Sequence, residues 1–237
     1  MTRIVDSLLT LIYPSACGAC GESIESHQLG AACHACWKST RIFTGSETLC
    51  GKCGAFLGDG NGQTARCGRC ADHDYDAACA LGIYELALAA SVLQLKHSAR
   101  LSPFLKHLII SRLQNSLISV DVVLPVPLSA RRRIERGFNQ AETIGEYAAR
   151  VVRAEYKADS LRRKLHADRN RAMMDRKARE LSVRNAFEVI KPDDFRGKTV
   201  LIVDDVLTSG ATVSACAKVL KKNGATSVTV FTLARAV

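Results

Sequence analysis

Eight of the ten cysteines in this 237-residue chain fall into four CxxC pairs: Cys17/Cys20, Cys33/Cys36, Cys50/Cys53 and Cys67/Cys70. The gaps between successive pairs are 12, 13 and 13 residues. Two CxxC pairs supply the four thiolates of one tetrahedral zinc site, so the spacing predicts two Zn²⁺ sites. Glycines just after the ligands, in CGACG, CGKCG and CGRC, let backbone amides turn toward the sulfurs. A disulfide framework would need an oxidising compartment, and a redox CxxC would need a thioredoxin-like βαβ setting. Four thiolates leave no open coordination position, so the metal is read as structural. Sequential pairing, first with second and third with fourth, is expected over interleaved pairing. His27, His34 and His73 lie near the clusters, but eight cysteines already fill two sites, and the histidines are not expected as ligands. Cys79 and Cys216 are left over and read as buried thiols.

A second constellation sits near the C-terminus. The apolar run TVLIVD ends in Asp204-Asp205, and Val206, Leu207, Thr208, Ser209, Gly210, Ala211 and Thr212 follow. The pattern predicts a strand over 199–204, a turn over Val206–Ala211 and a helix from about Thr212. Hydroxyls and closely spaced amides at a helix N-terminus suit a phosphate group. Gly210 allows the backbone approach that a side chain would block. Two carboxylates at a strand end can accept from vicinal hydroxyls and hold Mg²⁺ through water. A phosphate site beside a diol site describes a ribose 5-phosphate. The bland alternative is a β-turn-α unit with an acidic strand end; Asp-Asp followed by T-S-G-A-T favours the ligand-binding reading. No Lys is placed as in a GxxxxGK[ST] loop.

The elements that must position these residues follow from periodicity. Helical patterns cover 85–97, 103–117 and 139–153, and strands are expected at 121–126, near Phe187–Ile190 and at 227–233 after the last helix, 212–223. Continuous apolar strands alternating with helices predict a parallel α/β sheet covered on both faces. Ligands of such sheets bind beyond the strands' carboxyl ends. Composition divides the chain: residues 1–79 hold 6 basic and 8 acidic residues, and residues 80–237 hold 27 and 15. The expected organisation is a cysteine-rich domain over 1–78, opening with a short amphipathic helix at Ile4–Tyr13, and an α/β domain over 79–237. The ribbon has few large apolar residues, so metal ligation would supply its folding energy. No apolar run approaches the ~20 residues of a membrane span. The apolar start, Leu8–Tyr13, is too short for a signal peptide, which predicts a cytoplasmic protein.

VLIVDDVLTSGAT resembles the motif by which type I phosphoribosyltransferases bind phosphoribosyl pyrophosphate (PRPP). With IYPSACGACG, the Tyr84…Leu95-Lys96 pattern and VVLPVPLSARRRIERGFNQAE, the chain is similar along nearly its whole length to the ComF family, the ComFC-like proteins of bacterial competence. The resemblance implies a double zinc ribbon ahead of a phosphoribosyltransferase-like parallel sheet flanked by helices. It implies that Asp204 and Asp205 bind ribose hydroxyls and Mg²⁺, and that Thr208 to Thr212 bind the 5-phosphate. Pro125, Val126, Pro127 and Leu128 would sit at the pyrophosphate, with Arg131 and Arg136 to neutralise it; a planar guanidinium suits a multi-oxygen anion. Lys96 and Arg179 are further candidates for the site. The family's R-x-R-x-T-x-x-Q and R-x-x-N pattern is replaced here, with Lys164, His166, Asp168, Arg171 and Ser182 at its positions and Arg179 kept.

The excess positive charge, with 10 basic against 4 acidic residues over 157–184, exceeds what PRPP needs. It suggests contact with single-stranded DNA through phosphates. Aromatic residues make up only 5%, so a base-stacking platform is poorly supported. Three functions are expected to compete. One is a PRPP-binding protein of natural transformation, handling incoming single strands beside a helicase partner. The second is an active transferase moving ribose 5-phosphate to a base or nucleotide. The third is a zinc-dependent adaptor.

Overall fold

A computed structural model describes residues 10, 13–60, 62, 64–116, 119–164 and 185–236. The helix expected over Ile4–Tyr13 lies almost wholly outside the described residues, as do His166, Arg179 and the rest of 165–184. In the cysteine-rich part, three short strands, β1 (Glu47–Cys50), β2 (Phe56–Asp59) and β3 (Thr64–Ala65), form a small sheet in the order β2-β1-β3. The rest is built on five parallel strands in the order β4-β10-β9-β5-β6. These are β4 (Ala77–Ile83), β5 (Val122–Pro125), β6 (Glu155–Tyr156), β9 (Thr199–Leu207) and β10 (Ser227–Arg235). A two-stranded antiparallel pair, β7 (Leu161–Arg163) and β8 (Phe187–Val189), lies beside them.

The central strands are apolar on both faces because both faces are covered. Val123, Leu201, Val203, Phe231 and Leu233 pack against Leu88, Ile109 and Ile144 from the helices Leu86–Leu95, Pro103–Asn115 and Gln140–Val152. Their strand neighbours Val122, Leu124, Val200, Ile202, Val228 and Val230 point the other way, onto Val213, Cys216 and Leu220 of the helix Ala211–Lys222. Each such buried aliphatic side chain contributes roughly 1.5–3 kcal/mol.

Periodicity located the long helices and strands β5, β8, β9 and β10 to within a few residues; the short strands β6 and β7 were not read, and three further differences stand out. Strand β9 runs on to Leu207, because Ala234 and Arg235 of β10 continue to pair with Val206 and Leu207. The turn is therefore only Thr208–Gly210, and the helix starts at Ala211. A seven-residue helix, Ala130–Arg136, forms over the arginine run, where no helix was read, capped by Ser129, whose hydroxyl accepts from Arg132 N–H. The edge strand β4, sequence AACALGI, was not read as a strand, since alanine and glycine give it little β-propensity. Pairing to β10 forms it, and residues 41–43 cover its outer edge: Phe43 N–H donates to Leu81 O and Ile83 N–H to Arg41 O. That cover removes an edge open to aggregation.

The cysteine-rich part straddles this edge. Cys17, Cys33, Cys36 and Trp37 join the apolar cluster on one face of the sheet, and Cys50, Cys53, Cys70 and Tyr75 join the cluster on the other. Trp37 packs edge-on against Phe104 at 4.8 Å, and its indole N–H donates to Leu29 O. The ribbon's scarce apolar residues thus complete the core of the α/β sheet. Cys79 and Cys216 are buried, as expected.

Candidate functional site

The cysteines gather into two clusters, Cys17/Cys20/Cys33/Cys36 and Cys50/Cys53/Cys67/Cys70. This is the sequential pairing, and among the described residues no His joins either cluster. Sulfur pairs lie 3.7 Å apart for Cys20–Cys33, 3.6 Å for Cys50–Cys70 and 3.5 Å for Cys53–Cys67. A zinc tetrahedron with Zn–S of about 2.3 Å has edges of about 3.8 Å, so both clusters fit the ion. Cys33 N–H and Ala19 N–H donate to Cys17 Sγ at 3.3 and 3.4 Å. Burial raises the Cys17 thiol, but the amides of Cys33, Cys20 and Ala19 outweigh it and bring it down to about 6. Cys50 is brought down to about 6 in the same way, burial being outweighed by the amides of Cys53, Cys67 and Lys52. These amide bonds favour the thiolate form that a cation needs.

The second site lies where the sheet reverses its winding. The connection after β5 leads outward to β6, over the face that carries Gln140–Val152. The connection after β9 leads the opposite way to β10, over the other face. The two adjacent carboxyl ends leave a crevice at this switch point. A cavity of about 500 Å³ opens there, lined by Tyr84, Lys96, Val126 to Ser129, Arg132, Arg136, Gln140, Arg163, Asp204 to Val206, Thr208 and Thr212.

The string RGFNQ builds much of this crevice. Arg136 lines it, Gly137 ends the short helix, and Asn139 caps the next one by accepting from Ala141 N–H. The buried Asn139 amide also donates to Val126 O at 3.0 Å, tying the loop after β5 to that helix. Gln140 donates through Nε2 to Asp205 Oδ2 at 2.8 Å. Its Oε1 is buried without a hydrogen-bond partner among the described residues. Burial raises Asp204, and the neighbouring Asp205 charge adds to it, pushing the carboxyl to about 8. Two crowded acids form an acceptor-rich corner suited to hydroxyls or a hydrated divalent cation.

Of the four arginines on the short helix, two face elsewhere. Arg131 pairs with Glu135 at 2.7 Å, with its side chain 84% exposed, and Arg133 pairs with Glu142 at 2.5 Å. Arg132 and Arg136 line the cleft. The arginine expected beside Arg136 was Arg131; the helix turns Arg132 there instead, one residue on. Arg132→Ala is expected to weaken binding of inorganic pyrophosphate about tenfold, with Arg131→Ala near neutral, since a hydrogen bond to a charged group contributes ~1.5–3 kcal/mol. Titration calorimetry on the two variants checks this. Lys96 lies in the cleft, as do Val126, Pro127, Leu128, Thr208 and Thr212. Ser209 and Ala211 line a separate cavity of about 800 Å³ shared with Cys53, Cys70, His73 and Arg235. Gln140, Asn139, Arg132 and Arg163 were missed as site residues; a polar pair at a helix start and an arginine run signalled only a cap and a basic turn.

The description "Double zinc ribbon domain" matches residues 8–71, and "Phosphoribosyl transferase domain" matches residues 106–236. The chain belongs to the ComF family of phosphoribosyltransferase-domain proteins. Its relatives match it over 48 to 95% of its length. The DNA utilization protein YhgH of Escherichia coli is 29% identical over 234 residues, covering 95% of this chain and 99% of that one. Competence protein F of Haemophilus influenzae is 27% identical over 214 residues, covering 86% and 90%. Competence protein ComFC of Bacillus subtilis is 32% identical over 120 residues, covering 48% and 44%. Among solved structures, an allosteric regulatory enzyme of purine biosynthesis is similar over 60% of this chain and 30% of that one, with TM-score 0.39 and 24% identity. No helix among the described residues is long and apolar enough to cross a membrane.

Proposed function

We propose that the cleft binds Mg²⁺-PRPP, in a cytoplasmic competence-associated protein that handles incoming single-stranded DNA. The observation that carries the ligand reading is that the acid pair Asp204-Asp205, the loop residues Thr208 and Thr212, and the cations Arg132 and Arg136 line one cleft. The loop hydroxyls suit a phosphate, the acids a diol and the arginines a pyrophosphate, which are the groups of PRPP. Asp204 and Asp205 would hold Mg²⁺ through the ribose hydroxyls and water, and the ion would add charge neutralisation at the pyrophosphate. Arg132 and Arg136 would donate to the pyrophosphate oxygens. Asn139 would hold the Val126 loop in place beneath them.

The competence role is supported by the names of the relatives, and single-strand handling by the net charge of +10. The exposed arginines of Ala130–Arg136 would meet phosphates at the rim of the cleft, and a helicase would be the partner delivering the strand. Such contacts should weaken steeply with salt.

Titration of PRPP in the presence of Mg²⁺ tests the ligand reading. Asp204 must lose its proton to accept a hydroxyl and face a cation, so affinity should rise as pH goes from about 6.5 to about 8.5. A flat or falling profile, or no binding at all, overturns the assignment. The transferase reading is supported by the same cleft, since its acceptors suit a diol and its donors a leaving pyrophosphate. Release of pyrophosphate in the presence of a base or nucleotide panel distinguishes it from binding alone.

A further inference from the structure

The cavity of about 800 Å³ lies on the outer side of the phosphate loop, and the second cysteine cluster forms its other wall. Arg235, the last residue of β10, joins the two. Its side chain is buried. Through one terminal nitrogen it donates to the carbonyls of Leu207 (2.7 Å), Thr208 and Ala236 (2.8 Å), and through the other to Cys53 Sγ at 4.0 Å. In a trans peptide the carbonyl and the following N–H point in opposite directions. Anchoring the Leu207 and Thr208 carbonyls to the guanidinium therefore turns the N–H groups of Thr208 and Ser209 the other way.

Two more contacts run between the same two parts, and two others brace the cysteine-side segment. Gly210 seats directly on His73 and Tyr75; a Cβ there would lie 2.6 Å from His73 Cε1 and 3.0 Å from Tyr75 Oη. His73 Nδ1 and the Tyr75 hydroxyl share a hydrogen bond of 2.7 Å. Asp74 N–H donates to Ser214 Oγ at 2.9 Å, in the first turn of the helix that follows the loop. Lys52, between two cluster ligands, donates to His73 O at 2.7 Å, fixing that segment to the cluster. The first cluster has a different neighbour: its Gly18 packs on Ala90 of the helix Leu86–Leu95, on the opposite face of the sheet.

We propose that Arg235 is a positioning residue that makes zinc at the second cluster and phosphate at the Thr208–Thr212 loop mutually reinforcing, while zinc at the first cluster is independent of the ligand. The proposal rests on the reading of that loop as a phosphate site. A divalent zinc held by four thiolates is net negative, so it holds the buried guanidinium in the geometry that orients the loop amides. Loss of that zinc removes the anion on one side of Arg235 and loosens its hold on the loop carbonyls. Coupling between equilibria is reciprocal, so PRPP must raise the affinity of the second cluster for zinc by the same factor as zinc raises the affinity for PRPP.

The test measures zinc affinity of the full chain by equilibrium competition with a chromophoric chelator, with and without PRPP, alongside PRPP binding itself. Cys53→Ser identifies which of the two zinc steps belongs to the second cluster. PRPP is expected to tighten that step by about 5–150-fold and leave the other unchanged. Arg235→Met should retain two zincs, bind PRPP more weakly and lose the coupling. Arg235→Lys, which keeps the charge but not the fork, should lose most of it and serves if the Met variant does not fold. PRPP that binds yet shifts neither zinc step, or both equally, overturns the coupling and leaves the cleft reading intact. So does an Arg235→Lys protein that couples as well as the parent. PRPP that fails to bind the zinc-loaded parent overturns both.

Discussion

Asp204→Asn/Asp205→Asn is expected to lose Mg²⁺-PRPP binding by at least about a hundredfold and to gain stability at alkaline pH. The loss follows from removing two charged acceptors, each hydrogen bond to a charged group contributing ~1.5–3 kcal/mol. The gain follows from the crowding of the pair. Burial, together with the Asp205 charge, raises the Asp204 carboxyl to about 8, against an ordinary value of 3.8. Between those values the folded protein holds a proton that the unfolded chain has released, so stability falls as pH rises through that window. Asparagine carries no such charge and escapes the penalty. The melting temperature of Asp204→Asn should therefore exceed that of the parent at pH 8 and match it near pH 4, by about 2–4 °C for each kcal/mol relieved. A thermal scan at both pH values, with PRPP titration on the same samples, checks the pair of effects. A variant that is less stable at pH 8, or that still binds PRPP as the parent does, contradicts this account. Strain relieved by losing function is the usual mark of a binding site.

Gly210→Ala is expected to cost about 2–5 kcal/mol of stability and to reduce PRPP affinity more than tenfold. Two penalties add. Gly210 has φ +80°, a conformation that costs an L-residue roughly 1–2 kcal/mol. Its new methyl group would also press into His73 and the Tyr75 hydroxyl, and overpacking costs typically ~1–3 kcal/mol. Gly197→Ala separates the terms, because Gly197 has φ +71° with nothing within 4 Å of the added carbon. Denaturant unfolding should show Gly210→Ala clearly worse than Gly197→Ala, and only the former should affect the ligand. Equal costs would mean that the loop does not bear on the cluster-side segment.

Much of this molecule is legible locally. A CxxC pair is a complete half of a zinc site, because two residues between the cysteines suffice to aim both sulfurs at one ion. An apolar run ended by two acids and followed by T-S-G-A-T carries its own strand, turn and helix start. Amphipathic spacing located the helices, because each buries one stripe on the sheet. What escaped the sequence is made of contacts between distant residues. Strand β4 exists because β10 pairs with it, and alanines without a partner carry no such signal. Gln140 reads as the second residue of a helix until the fold brings it to Asp205, 65 positions away.

By itself, then, the sequence determined which chemistry is present: eight thiolates in two tetrahedral sets, a pair of acids before a phosphate-type loop, and a run of arginines after a strand. Spacing along the chain is enough for these, since each motif closes within one turn or one strand end. Only the tertiary structure decided how they combine. It chose Arg132 over Arg131 through the phase of a seven-residue helix, and it put the two cysteine clusters on opposite faces of one sheet. It also carried Arg235 across 182 positions to Cys53. That last contact depends on strand order and on wrapping a ribbon around a sheet edge. Both are settled by burying apolar area across the whole molecule, and no local pattern records them.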